Sequence, residues 1–228
     1  MGKKYLFSII ITIVLVFNSI MAFGSEIPQQ LKEEELKALE VCGLIPVFEY
    51  EKFKEKEVAH YVTHRIQAAA IILRLNGVVE KAGKWDGNDF FVDVKNPNRG
   101  YTTNLTAYLK SNPQYGFTGY PDGTFNPDKL ISSQEYYKVL LTLLGYVQDE
   151  DFKYEDTVKF AKAKGLYRIA DITELKAKDI AVGVVEALKC NVKNEDITLV
   201  ENLIKKGIIK KDDAAVKELK TKLGIKEK

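Results

Sequence analysis

The chain has 228 residues, 46% of them hydrophobic, with 34 Lys and Arg against 32 Asp and Glu. Lys3 and Lys4 belong to a leader-like start, and without them the charges balance, so the chain lacks the basic surplus that phosphate-backbone binding requires. Nucleic acid is excluded as the expected partner, while the apolar content suffices for one sizeable core or two small ones.

Residues 1–24 combine two lysines, an apolar run from Tyr5 to Phe17 broken only by Ser8 and Thr12, and small residues Ala22 and Gly24 at cleavage-site spacing. This pattern predicts a secretory signal peptide. Asn18 and Ser19 cut the run short of the roughly 20 apolar residues a membrane helix needs, so no stable span is expected after cleavage. Residues 25–30, with Pro28, read as a tether. Leu31 to Val41 reads as a short helix stopped by Gly43, and Glu49 to Glu57 as a solvated charged stretch.

His64 to Leu75 is predicted as a helix, with Ala68, Ala69, Ile71, Ile72 and Leu75 on its apolar face and Gly77 as its stop. Val78 to Tyr101 reads as a long loop with a short extended piece at Phe90 to Val94, and Thr103 to Lys110 as a helix that ends before Pro113. The clearest helix follows. Ser132 and Glu135 have capping-box spacing, Tyr136, Val139, Leu140, Leu143 and Leu144 form an apolar stripe, and Gly145 supplies the stop. Tyr154 to Lys164, Leu175 to Leu188, Ile197 to Lys206 and Asp213 to Leu223 complete the predicted helices.

Cys42 and Cys190 are the only cysteines; export would permit a disulfide, and two free buried thiols fit equally well. His60 and His64 are the only histidines and no cysteine lies beside them, so no zinc site is readable. Asp122, Asn126 and Asp128 place oxygen ligands in one loop, but the ladder and closing glutamate of an EF-hand are missing. No nucleophile motif, phosphate loop or cofactor motif is present, which ranks enzymatic chemistry low.

Internal repetition organises the chain. Laying Gly77 over Gly145 places Gln67 on Glu135 and Arg65 on Ser133, and laying Lys189 over Gly145 places Asp179 on Glu135. The divisions that follow are residues 31–77, 78–145 and 146–192 as three helix-loop-helix units, with 193–228 as a helical extension.

The second unit carries Phe91-Val92-Asp93-Val94, then Gly119-Tyr120-Pro121-Asp122-Gly123-Thr124-Phe125-Asn126-Pro127, then Ile131-Ser132-Ser133-Gln134-Glu135. In this order they resemble the S-layer homology module, with its Phe-x-Asp-Val entry, Gly-Tyr-x-Asp-Gly-x-Phe-x-Pro loop and Ile-Thr-Arg-Ala-Glu helix start. The resemblance covers roughly residues 31 to 192 and is sharp only in the second unit. The first keeps the family's arginine as Arg65, with one extra residue after the threonine; the second has Ser133 at that position and the third Ala177.

The resemblance implies a mainly α fold: a pseudo-threefold helical spindle of three repeats, with short extended segments in its loops. It implies non-covalent attachment to a secondary cell-wall polysaccharide, often pyruvylated, at the surface of a bacterium, without cofactor or metal. The ligand-binding residues it implies are Arg65, Gly119, Tyr120, Asp122, Gly123 and Ser133, a guanidinium and backbone amides being suited to a carboxylate. With the arginine in one copy of three, at most one groove is fully equipped. The alternative partner is another envelope protein, bound by a module that has lost its polymer site. Trp85, the only tryptophan, matches no family position.

Overall fold

The computed structural model describes Cys42 and residues 63–94, 100–209 and 213–225, all within one compact unit, Leu31–Lys228. The signal peptide, the tether, the helix expected at Leu31 to Val41 and the charged stretch at Glu49 to Glu57 lie outside the described residues.

The fold is mainly α. Among the described residues the helices are α1 (Arg65–Leu75), α2 (Val79–Gly83), α3 (Tyr101–Ser111), α4 (Ser133–Leu143), α5 (Thr157–Ala163), α6 (Ala177–Lys189), α7 (Leu199–Lys205) and α8 (Asp213–Leu223). Two single 3-10 turns, Pro113–Tyr115 and Tyr154–Asp156, precede the loop of the second unit and α5. The expected extended piece at Phe90 to Val94 is not a strand. Its chain turns back on itself, with Val94 N donating to Phe91 O at 3.2 Å, because Asp93 is committed to the loop opposite. Helix α2 falls where the sequence predicts a loop, as its five residues carry too short a pattern to show a period.

The glycine stops work as the sequence predicts. After α1 and α4, the amides of Gly77 and Gly145 and of the following Val78 and Tyr146 turn back onto carbonyls of the last helical turn, at 2.8–3.0 Å. Gly165 with Leu166, Gly207 with Ile208 and Gly224 with Ile225 repeat this pattern after α5, α7 and α8. Each glycine has positive φ, the left-handed conformation that ends a helix and lets the next apolar residue fold back on it.

The starts of α1, α4 and α6 are joined directly. Thr63 N donates to Leu175 O at 2.8 Å, Leu175 N to Ile131 O at 2.9 Å, and Ile131 N to Thr63 O at 3.1 Å, which closes a ring of three hydrogen bonds. The register that overlays Gly77, Gly145 and Lys189 puts these three residues at one position. Immediately after each, the third helical residue reaches back to its cap amide: Gln67 to His64 N, Glu135 to Ser132 N and Asp179 to Lys176 N, at 2.9–3.1 Å. The ring satisfies backbone groups that would otherwise be left unpaired in the interior.

Around it the core is continuous. Tyr136 and Tyr137 of α4 are fully buried, and the Tyr136 hydroxyl donates to Ile180 O at 3.3 Å. Gly183 sits in mid-α6, where glycine costs about 1 kcal/mol relative to alanine. A Cβ there would fall 2.9 Å from the Tyr136 ring and 3.0 Å from Ile169, so its absence lets α6 press against α4. Cys42 and Cys190 are both free thiols, and burial pushes them up, Cys42 to about 12 and Cys190 to about 11. No helix among the described residues is long and apolar enough to cross a membrane.

Candidate functional site

The loop of the second unit is built on an aromatic floor. Phe117 and Phe125 are fully buried and Phe91 nearly so, with ring centroids 5.2 Å apart for Phe91 and Phe125 and 6.0 Å for Phe117 and Phe125. Asp93 fastens the loop from below, its two carboxylate oxygens accepting from Phe125 N at 2.8 Å and Asn126 N at 2.7 Å. These bonds hold Asn126 at φ 54°, a left-handed conformation that asparagine tolerates. Gly119 is required twice. Its φ is +78°, and a Cβ would lie 2.4 Å from the Phe91 ring and 2.9 Å from Thr124 O. The Phe-x-Asp-Val entry and the glycine loop are therefore two halves of one structure.

Arg65, the first residue of α1, lies on this floor. Its guanidinium carbon is 4.7 Å from the Tyr120 ring centroid, 5.1 Å from Phe125 and 5.2 Å from Phe117, and the residue is only 6% exposed. Its Nε is buried and has no hydrogen-bond acceptor among the described residues, consistent with a cation held mainly by aromatic faces. Its Nη1 approaches Glu135 Oε1 at 3.4 Å.

Glu135 is the hub. Oε1 accepts from the Tyr120 hydroxyl and lies 3.3 Å from Lys129 Nζ, while Oε2 accepts from Ser132 N at 3.1 Å and Ser132 Oγ at 3.2 Å. Lys129 Nζ also donates to the Tyr120 hydroxyl at 2.9 Å and sits 4.5 Å from its ring centroid. Burial is the largest single influence on the Glu135 carboxyl and acts to raise its pKa. The Tyr120 and Ser132 hydrogen bonds, followed by the charges of Arg65 and Lys129, outweigh it and hold the group below the ordinary carboxylate value.

Beside these residues opens a cavity of about 620 Å³, lined by Arg65, Tyr120, Lys129, Glu135 and Lys138 together with Tyr154 and Gln148. Lys138 is one helical turn beyond Glu135, and its Nζ is 3.4 Å from Thr118 Oγ1. Burial, and then the charge of Arg65, push the Lys138 ammonium down to about 8. Three cations thus face the cavity with one carboxylate among them. Such a wall suits an anionic ligand, and the tyrosines and hydroxyls around it suit sugar rings.

Of the residues singled out from sequence, Arg65, Gly119 and Tyr120 line the cavity together. Asp122, Gly123 and Ser133 do not. Asp122 is spent on its own turn, accepting from Thr124 N at 2.9 Å and Thr124 Oγ1 at 2.7 Å. Gly123 closes the same turn, its amide donating to Tyr120 O at 2.9 Å and its carbonyl accepting from Val92 N at 3.1 Å. Ser133 is 4% exposed and its amide donates to Ile172 O at 2.9 Å, as the Arg65 amide donates to Lys129 O at 2.8 Å. Its backbone therefore meets the third unit as that of Arg65 meets the second, and its side chain does not line this cavity. Lys129, Lys138 and Tyr154 join the site from outside the motif. Lys138 has a readable signal, since its spacing of three from Glu135 puts both on one side of the helix; Lys129 and Tyr154 have none, because they arrive from a loop and from a single 3-10 turn.

Family models, curated proteins and solved structures were all compared with the chain. None matches it. The functional reading rests on the geometry and on the motif resemblance.

Proposed function

We propose that the chain is an exported protein of the S-layer homology type that attaches non-covalently to an acidic polysaccharide of the bacterial cell wall, binding without catalysis. The observation that carries this reading is the cavity beside Arg65, where Lys129 and Lys138 add two more cations around a single carboxylate. The closed ring of Thr63, Ile131 and Leu175 supports a pseudo-threefold arrangement of the three units, the architecture that the resemblance implies. The loop motif supports it further, since each of its unusual residues has a structural role. Gly119 permits the close approach to Phe91, Asp122 holds the turn, and Phe125 forms the floor under Arg65.

One observation favours a second reading, an interaction module of the same fold that binds another envelope protein. The positions equivalent to Arg65 hold Ser133 and Ala177, both buried, so neither carries a guanidinium to a groove. Cosedimentation with purified wall sacculi separates the two. We expect pelleting that disappears when the secondary polymer is chemically stripped. Pelleting that survives stripping, or none at all, overturns polymer attachment in favour of the interaction module.

A further inference from the structure

The three cations of the cavity are not equally available. Arg65 is nearly buried, its Nε is sealed off, its Nη1 is turned to Glu135, and three aromatic rings surround its guanidinium. Lys129 is held by Glu135 and by the hydroxyl and ring of Tyr120. Both therefore share the one carboxylate. Lys138 has only a 3.4 Å contact with Thr118 Oγ1 and forms no ion pair among the described residues, although it lines the same cavity and is half-buried.

We propose that Lys138 is the side chain that receives the anionic group of the ligand, a sugar carboxylate, and that Arg65 is a positioning residue fixing Tyr120 and Glu135 beside it. This rests on the polymer-binding reading and assigns the contact to a residue that the motif resemblance does not include. A half-buried ammonium with no directly paired carboxylate is poorly solvated, and an incoming carboxylate supplies that direct contact.

The groups that face Lys138 define what the ligand meets. From α1 comes Arg65, from α4 itself Glu135, from the glycine loop Thr118 and Tyr120, from the segment before α4 Lys129, from the 3-10 turn before α5 Tyr154, and the charge of Asp149 acts from the turn after α4. Burial and Arg65 disfavour the charged form, Asp149 and Glu135 favour it, and the balance holds the ammonium down to about 8, so it begins to lose its proton just above neutral pH. A bound carboxylate shifts this balance upward, so binding takes up a proton whenever the free amine is partly neutral. Affinity therefore falls as pH rises through the free-state value, because the amine must first be protonated.

Calorimetry on the full chain with sodium glucuronate as the probe and glucose as the neutral control tests this. Binding is measured from about pH 7 to about pH 9, in buffers of differing ionisation enthalpy, which report the protons taken up. We expect glucuronate to bind at least about tenfold more tightly than glucose, with proton uptake that grows with pH. Lys138→Gln should lose about tenfold in affinity together with the uptake, while Lys138→Arg should retain affinity and lose the pH dependence. Unchanged affinity and uptake in Lys138→Gln would refute the assignment to Lys138 and leave polymer attachment standing. Failure of glucuronate to bind a protein that still pellets with sacculi overturns the carboxylate contact alone; failure in both assays overturns the underlying reading as well.

Discussion

The start of α1 meets the second unit and the start of α4 meets the third unit through the same backbone bond, Arg65 N to Lys129 O in one case and Ser133 N to Ile172 O in the other. What is built on that bond differs. In the first case a guanidinium rests on three aromatic rings, a carboxylate collects five polar contacts, and a cavity remains open beside them. In the second, the carboxylate position is Asp179, which among the described residues accepts from its own cap amide, and the places of Lys138 and Val139 are taken by Val182 and Gly183. Ile169 and Tyr136 fill the space that Gly183 vacates. A repeated backbone frame thus tolerates either a polar cavity or a packed apolar contact, and the side chains at a few equivalent positions decide which.

The largest expected break in this comparison is Glu135→Ala. It leaves Arg65 nearly buried with no counter-charge, and we expect a loss of about 3 to 5 kcal/mol by chemical denaturation. Its pH dependence has a definite sign. Because the folded-state pKa of Glu135 lies below its ordinary value of 4.5, its stabilisation is present at neutral pH and is lost as pH falls through the acid range, so wild type and variant should converge in acid. A gap that stays constant down to low pH would show that the hub contributes by packing alone.

Gly119→Ala comes next. The positive φ and the overlap with Phe91 and Thr124 O force the loop to move, with an expected loss of about 2 to 3 kcal/mol and loss of sacculus binding. The counterpart of Glu135 in the third unit should matter much less. Asp179→Ala removes one capping bond and is expected to cost about 1 kcal/mol, and a cost equal to that of Glu135→Ala would erase the distinction between the two regions.

The smallest effect has the opposite sign. The Lys138 ammonium is held below its ordinary value of 10.5, so the unfolded chain binds more protons between that value and about 8, and stability contributed by this group rises with pH across that window. Lys138→Met should therefore stabilise the protein at neutral pH by about 0.5 to 1 kcal/mol, after discounting for solvent screening, and the gain should vanish in alkali. Thermal melts at neutral and alkaline pH check both statements.

Much of this is legible along the chain. Helix periodicity, glycine stops and the cap pairs at Gln67, Glu135 and Asp179 are local features, and the register they imply is the one in which Thr63, Ile131 and Leu175 meet. The loop motif likewise points to Gly119 and Tyr120. Asp122 and Gly123 stand outside the cavity because the residues that signal binding here also make the turn, and Ser133 stands outside it because equivalence in the repeat does not mean proximity to the same cavity.

By itself the sequence determined the longer helices, the cap pairs and the glycine stops at Gly77 and Gly145, since each depends on interactions within a few residues of the chain, while the five-residue α2 escaped it. Only the tertiary structure decided that Arg65 would cover Phe117, Tyr120 and Phe125, that Lys129 and Arg65 would share Glu135, and that Lys138 would face the cavity without a carboxylate of its own. These depend on burial and on charges brought together from different units, and the electrostatics of a site follow from distances in space that spacing along the chain does not fix.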